Sequence, residues 1–293
     1  MRMRKTTSEH IFDILNGLFM VTLIFSTLYP FIYVLMSSLS NPSQLTAHRG
    51  LLFWPTGFSL ESYKLVLSNE MVKIGYINTL FYVIVGTAIN IIMTSLGAYT
   101  LSRRNVMLGT PMMLIIAFTM FFSGGLIPTY LLMSDLHLLD TRWAVIVPGA
   151  ISTWNLIIMR TSFKGVPISL EESARIDGAN DWIILWRIIL PLSLPVLSVM
   201  VLFYAVAHWN SYFGAMIYLR DRELFPLQLI LREILLSNSV ESMTTSVDNA
   251  ERFSIGETIK YATIIVATVP ILFLYPFLQK YFVKGVMIGA IKE

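Results

Sequence analysis

Long apolar runs recur along this chain, and they restrict its fold more than any other feature. Each run reaches or approaches the roughly 20 residues that an α-helix needs to cross a bilayer. The runs are continuous rather than alternating, which disfavours membrane strands. Of the 293 residues, 55% are hydrophobic and 13% are charged, and a soluble domain carries about twice that charged fraction. The sequence therefore predicts an all-α membrane protein, a single transmembrane domain over 1–293, with six spans at about 11–36, 74–98, 107–133, 143–159, 192–218 and 258–282.

The third of these runs contains the sequence "FFSGGLIPTY". Gly124, Gly125 and Pro128 lie at its middle, so its helix must break or bend there. The break is either a packing kink or irregular backbone that faces a cavity.

The distribution of Lys and Arg predicts the orientation of the chain. An even number of spans puts both termini on one side. That side carries twelve of the 21 basic residues: Arg2, Arg4, Lys5, Arg103, Arg104, Arg160, Lys164, Arg175, Arg187, Lys280, Lys284 and Lys292. Both termini and the loop 160–191 are therefore expected in the cytoplasm, and the polar loop 219–257 is expected outside as a docking surface. The net charge of +3 is mostly this bias and gives no reason to expect nucleic-acid binding.

A charged, glycine-centred segment, "EESARIDGANDWIILWRIILPLSLP", interrupts the apolar pattern between the fourth and fifth runs. Ser169 and Glu172 have the spacing of a capping box, which predicts a helix that begins near Leu170. Gly178 is expected to end that helix in the left-handed conformation. A second helix can begin at Asn180 or Asp181. The segment thus predicts a helix, a glycine turn and a second helix on the membrane surface, an arrangement suited to insertion into a partner.

This segment resembles the EAA loop of ABC importer permeases. The family pattern is Glu-Ala-Ala, three residues, Gly, nine residues, then Ile-x-Leu-Pro, and Ser173 is the one departure from it here. The resemblance implies a type I importer (MetI-like) permease fold. It also implies that the first helix of the loop is a coupling helix that docks on a cytoplasmic ATPase. The residues carried over are Glu172, Ser173, Ala174, Arg175, Asp177 and Gly178.

Sequences along nearly the whole chain resemble the carbohydrate-importer branch of these permeases (MalG-like, LplC-type), including the smaller permeases of alginate-oligosaccharide importers. They include "GGLIPTYLL", "WNSYF" and the terminal "YFVKGVMIGAIKE". The resemblance implies a bacterial inner-membrane permease that works by alternating access with a second homologous permease, two ATPase subunits and an external substrate-binding protein. Its C-terminal tail supplies a second candidate ATPase contact at Gly285, Ile288 and Gly289. The expected cargo is an oligosaccharide, acidic or neutral, and ATP and Mg²⁺ belong to the partner ATPase, so this chain is expected to bind no cofactor.

Polar residues within the spans are candidates for the translocation path. The candidates are His208, Trp209, Asn210, Tyr212, Asn78 and Asn90. Hydrogen bonding between helices is the alternative for each, and it is the favoured interpretation for Asn90 and Thr94. Arg142 and Lys73, near the outer ends of two spans, could attract an anionic sugar.

Three other classes of function are less well supported by the sequence. An ion-coupled transporter usually places acidic or basic side chains inside the membrane, and these runs have almost none away from their edges. The chain has no cysteine, its four histidines are scattered, and no catalytic, metal-binding or P-loop motif is present. The chain is therefore not expected to be an enzyme. A pure scaffold is opposed by the coupling motif alone.

Overall fold

The computed structural model describes residues 6–103, 106–244 and 256–273, and within them the fold is helical. The one β-type pairing there is an isolated bridge between Ser40 and Phe58. The longer helices are Thr7–Ser38, Glu70–Ser102, Gly109–Phe118, Leu126–Asp135, Thr153–Lys164, Ile168–Ile176, Asp181–Leu192, Leu194–Trp209, Leu227–Thr244 and Gly256–Phe273. Short helices at Pro42–Ala47, Glu61–Ser68, Trp143–Ile146 and Phe213–Tyr218 connect them.

Three of the described helices are long and apolar enough to cross a membrane. They are Thr7–Ser38, Glu70–Ser102 and Gly256–Phe273, which correspond to the first, second and sixth predicted spans. Counting each of two bent pairs as one span gives five at most: Trp143–Gly149 with Thr153–Lys164 (51°), and Asp181–Leu192 with Leu194–Trp209 (86°). The count of six stays a prediction, because the third apolar run does not form one continuous helix.

The third run is interrupted between Gly109–Phe118 and Leu126–Asp135. Gly125 has a φ of +85°, a conformation that side chains with a Cβ rarely adopt. Pro128 lies in the first turn of the second helix, where its missing N–H removes no intrahelical hydrogen bond. The break predicted from the two glycines and the proline is confirmed.

The described residues divide into two compact units, one within Met1–Asn69 and Arg232–Thr268, the other within Glu70–Leu231 and Val269–Glu293. In the first unit, Ser62 donates a hydrogen bond to Thr258 at 2.8 Å. The Tyr33 and Tyr261 rings meet edge to face, with centroids 5.8 Å apart.

The second unit is built around Glu70–Ser102, which we name the scaffold helix. One of its faces carries residues spaced by four positions, all of them buried: Asn78, Tyr82, Gly86, Asn90, Thr94, Ala98 and Ser102. A π-helical turn occupies Tyr82–Gly86 within this stripe. The stripe places small and polar side chains against the neighbouring helices, as close packing between membrane helices requires.

The polar residues of the scaffold helix bond to backbone groups where a neighbouring helix is broken. The chain between Trp143–Gly149 and Thr153–Lys164 leaves the Gly149 carbonyl free of a helical partner, and Asn90 donates to it at 2.6 Å. The Ser152 N–H donates to the Tyr204 hydroxyl at 3.1 Å, and that hydroxyl also pairs with Thr94 at 2.7 Å. Because lipid offers no hydrogen bonds, these side chains allow the bend to exist inside the bundle.

The external loop over 219–257 stays a prediction, and its first part is helical rather than irregular. A 3-10 turn at Arg222–Leu224 is followed by the helix Leu227–Thr244, which extends into the polar stretch. Leu227, Ile230 and Leu231 are each at most 2% exposed, and their helical spacing explains why this part is ordered. Residues 245–255 lie outside the described residues.

Gly86 provides a test of the packing between the scaffold helix and Leu194–Trp209. A Cβ at this position would lie 2.5 Å from Nε2 of His208, whose ring is buried. We expect Gly86→Ala to lower the free energy of unfolding by about 1–3 kcal/mol through overpacking, measured by thermal unfolding in detergent. In the control Gly17→Ala, nothing lies within 4 Å of the added Cβ. That change should be neutral or stabilising by up to about 1 kcal/mol. Equal melting temperatures for the two variants would contradict this packing.

Candidate functional site

The first helix of the charged segment, Ile168–Ile176, is named the surface helix. Its N-cap is Pro167, and no side chain caps it. The predicted capping box between Ser169 and Glu172 is therefore wrong. The helix begins before Ser169, which puts that residue inside the first turn instead of at the cap.

The end of the surface helix agrees with the sequence pattern. Gly178 has a φ of +82°, and the Ala179 N–H donates to the Ala174 carbonyl at 2.9 Å. Asn180 then caps the next helix by accepting a hydrogen bond from the Ile183 N–H at 2.9 Å. The predicted helix, glycine turn and second helix are confirmed.

The second helix, Asp181–Leu192, leads into Leu194–Trp209 through a bend of 86° at Ser193. It includes a π-helical turn at Leu185–Ile189. Pro195 lies in the first turn of Leu194–Trp209, where proline is tolerated, and Pro191 lies just after the π-helical turn. This bend connects residues 168–192, which we name the surface segment, to an apolar helix.

The surface helix exposes the residues that the family pattern marks. Glu172, Ser173, Arg175, Asp177 and Gly178 are exposed, whereas Ala174 is half-buried. Ile176 is 87% exposed at the end of the helix. Glu172, Ser173 and Ile176 share one outward face by their helical spacing, so this face is open to a partner.

Glu171, one residue earlier, points the other way and is buried. Its carboxylate forms an ion pair with Arg103, the residue that follows the scaffold helix, and the two side chains are 8% and 16% exposed. Burial lowers the pKa of Arg103, because it penalises the charged form. No local pattern in the sequence indicates this pair, because Arg103 and Glu171 belong to different helical regions that are far apart in the chain.

Arg103 is held on several sides. Its guanidinium donates to the Ser102 hydroxyl at 2.9 Å and to the Phe163 carbonyl at 3.3 Å. It also lies 4.8 Å from the centre of the Tyr99 ring. The arginine is therefore fixed relative to the scaffold helix and to Thr153–Lys164.

A second polar contact joins the scaffold helix to Asp181, the first residue of the helix that follows Gly178. The Tyr99 hydroxyl donates to Asp181 at 3.2 Å, and Arg175 forms an exposed ion pair with the same carboxylate. A cavity of about 730 Å³ lies beside these groups, between the end of the scaffold helix and the surface helix. The interface between the scaffold helix and the surface helix is thus partly polar, and it contains a cavity.

The structure accounts for most of the hydrogen bonds of the polar residues inside the spans. Asn90 is fully buried, and its amide oxygen lies 2.7 Å from Nε2 of His208. Since the Asn90 nitrogen donates to Gly149, its oxygen is the acceptor, so His208 carries its proton on Nε2. Trp209 is buried and its ring packs against Tyr76. This geometry matches the alternative interpretation, hydrogen bonding between helices, for Asn90 and His208.

Asn78 is likewise buried in hydrogen bonds. It donates to the Glu223 and Phe225 carbonyls at 2.6 and 3.2 Å and accepts from Arg142 at 3.1 Å. The Arg142 guanidinium also lies 4.7 Å from the centre of the Phe81 ring. These contacts fix the turn at 223–225 that precedes the helix Leu227–Thr244.

Asn210 and Tyr212 lie between Leu194–Trp209 and Phe213–Tyr218, and both are exposed. Lys73 is also exposed. Asn210 and Tyr212 stay predicted path residues, as do the four buried candidates. Gly285, Ile288 and Gly289 lie outside the described residues.

Asp140, which sequence reasoning did not select, connects two loops near Asn78. One carboxylate oxygen accepts from the Arg220 and Asp221 N–H groups at 2.8 and 2.9 Å. Its own N–H donates to the Tyr218 carbonyl at 2.8 Å. The two carboxylate bonds lower the pKa of Asp140, because they favour the charged form.

Comparison with known proteins places this architecture in a family. Residues 104–288 match the family described as binding-protein-dependent transport system inner membrane component. The chain belongs to this family. It therefore has the all-helical permease fold, and its similar relatives are transport permeases rather than enzymes.

Three relatives extend over nearly the whole chain. The polygalacturonan/rhamnogalacturonan transport system permease protein YtcP of Bacillus subtilis (strain 168) is 41% identical over 284 residues, 97% of this chain and 99% of its own length. Protein LplC of the same organism is 41% identical over 291 residues, covering 99% and 98% of the two chains. A chain in the crystal structure of a bacterial ABC transporter involved in the import of the acidic polysaccharide alginate has a TM-score of 0.87 and 35% identity. The match covers 96% of this chain and 99% of that one.

The two loops joined by Asp140 should respond to acid. A carboxylate whose folded pKa is lowered stabilises the fold above its unfolded pKa, here near 3.8, and the stabilisation is lost as the pH falls through the folded value. Asp140→Asn keeps an acceptor oxygen and tolerates the left-handed φ of +58°. We expect acidification from about pH 7 to pH 3 to lower the wild-type melting temperature by a few degrees more than that of this variant. In the control Asp135→Asn, which leaves both backbone bonds intact, the wild-type acid response should persist, and a lost response there would contradict the assignment.

Proposed function

We propose that this chain is one of two permease subunits of an ATP-driven, binding-protein-dependent importer of oligosaccharides, in the inner membrane of a bacterium. The observation that carries the proposal is the surface helix. It is a short helix, ended by a left-handed glycine, in which Glu171 is buried, Ala174 is half-buried, and Glu172, Ser173 and Ile176 are exposed. Such an exposed face, next to a helix that bends into an apolar span, suits a partner that pushes on it.

In the proposed arrangement the surface helix is the coupling helix. It lies in the cytoplasm, as do both termini, and docks in a cleft of an ATPase subunit that binds ATP and Mg²⁺. Closure of two ATPase subunits brings the two coupling helices together, one from each permease. The spans then move from an inward-open to an outward-open arrangement, and the binding protein releases the sugar into the cavity.

The proposed cargo is an acidic oligosaccharide. The support is that two of the relatives carry names of acidic saccharides: one transports polygalacturonan and rhamnogalacturonan, and the other takes part in alginate import. Permeases whose names refer to lactose and maltodextrin are more distant, at 24% and 26% identity. A neutral oligosaccharide is the alternative cargo.

Co-purification from native membranes tests the coupling assignment. We expect an ATP-binding-cassette subunit to accompany the wild-type chain and to be reduced about tenfold or more with Gly178→Glu. This variant puts a charged side chain at a left-handed position beside the docking face. Gly178→Asn is the matched control, because asparagine tolerates this conformation, and it should retain the ATPase. Absence of any ATPase with the wild type would overturn the proposal.

Uptake by cells tests the cargo. Cells that express the complete transporter should accumulate a labelled uronate oligomer, and an excess of unlabelled uronate oligomer should compete more effectively than an excess of maltodextrin of the same length. The reverse order of competition would replace the acidic cargo with the neutral one.

A further inference from the structure

We propose that Glu171 and Arg103 are a positioning pair that transmits the movement of the coupling helix to the scaffold helix. This inference rests on the proposed function, because it assumes that an ATPase moves the surface helix. It assigns different roles to two adjacent glutamates. Glu172 faces the partner, and Glu171 connects the helix to the membrane domain behind it.

The apolar contact between the surface helix and the core is small. Of the nine residues of this helix, Ala174 alone packs against the core cluster that contains Tyr99, Phe163 and Ile184. A cavity of about 730 Å³ lies between the helix and the end of the scaffold helix. A side chain that crosses such a space transmits a displacement of the surface helix to the scaffold helix, whereas the sparse packing there does not.

Glu171 is the buried side chain that makes this connection. Its ion pair joins the middle of the surface helix to the residue directly after the scaffold helix. Arg103 cannot move alone, because Ser102, Phe163 and the Tyr99 ring hold it. Breaking a buried ion pair leaves an uncompensated charge and is strongly unfavourable, so the two helices are expected to move together.

The neighbouring pair between Arg175 and Asp181 has a different position. Both side chains are more than half exposed, at 52% and 61%, and both belong to the surface segment itself. Exposed ion pairs contribute little to stability. This pair is therefore the internal control for the buried one.

The test uses the complete transporter, with its second permease, ATPase subunits and binding protein, in proteoliposomes. The measured quantity is sugar imported per ATP hydrolysed. We expect Glu171→Gln to lower this ratio about tenfold while ATP hydrolysis stays within about threefold of wild type. Asp181→Asn removes the charge from the exposed pair and keeps an oxygen that accepts from Tyr99, so it should leave the ratio within about twofold. The double variant Arg103→Glu with Glu171→Arg, which reverses the pair, should recover at least half of the lost coupling.

Three outcomes would overturn the inference. In one, Glu171→Gln keeps the wild-type ratio. In the second, Glu171→Gln and Asp181→Asn lower the ratio equally. In the third, Glu171→Gln loses its ATPase subunits and uptake together and the reversed pair restores neither, which is the behaviour of a residue needed only for assembly. Failure of the wild-type complex to import sugar with ATP would instead reject the proposed function, so the two failures are distinguishable.

Discussion

Backbone hydrogen bonding inside the bilayer is the constraint on which this structure depends. A spanning segment has no water to satisfy its N–H and C=O groups, so helices are favoured and every break must be repaired by protein groups. Asn90 and Tyr204 do this at the bend near Gly149 and Ser152. The polar residues of the scaffold helix are therefore structural supports for bent neighbours, whatever they also contribute to a transport path.

The surface helix contacts the membrane domain on one side and is open to solvent on the other. Successive residues on an α-helix point about 100° apart, so Glu171 and Glu172 face opposite environments. One carboxylate enters a buried ion pair with Arg103, and the other stays in solvent beside Ser173 and Ile176. Gly178 then reverses the chain without a side-chain clash, which places Asp181 within reach of Tyr99. A rigid element that is open on one side and connected on the other is what a mechanical coupling between subunits requires.

The predicted residues of the translocation path differ in their exposure and in their hydrogen bonds. His208, Asn90 and Asn78 already have protein partners, so a sugar that reached them would have to replace existing bonds. Asn210 and Tyr212 are exposed where two helices meet at a short break. Their exposure leaves both residues accessible to a ligand from solvent.

The sequence by itself determined the membrane character of the chain, the break at Gly125, the helix–glycine–helix segment and the family resemblance. These features depend on local properties: continuous apolar runs, the left-handed tolerance of glycine and the spacing of a short motif. Only the tertiary structure decided that Glu171 pairs with Arg103, that Asn90 bonds to His208 and Gly149, and that Asp140 joins two loops. Those contacts connect residues from 59 to 118 positions apart, and nothing in the local pattern of one sequence specifies which distant polar groups will share a buried site. The capping box failed for a related reason. Its spacing was correct, but the chain enters the helix at Pro167, and the path of the preceding helix sets that point of entrance.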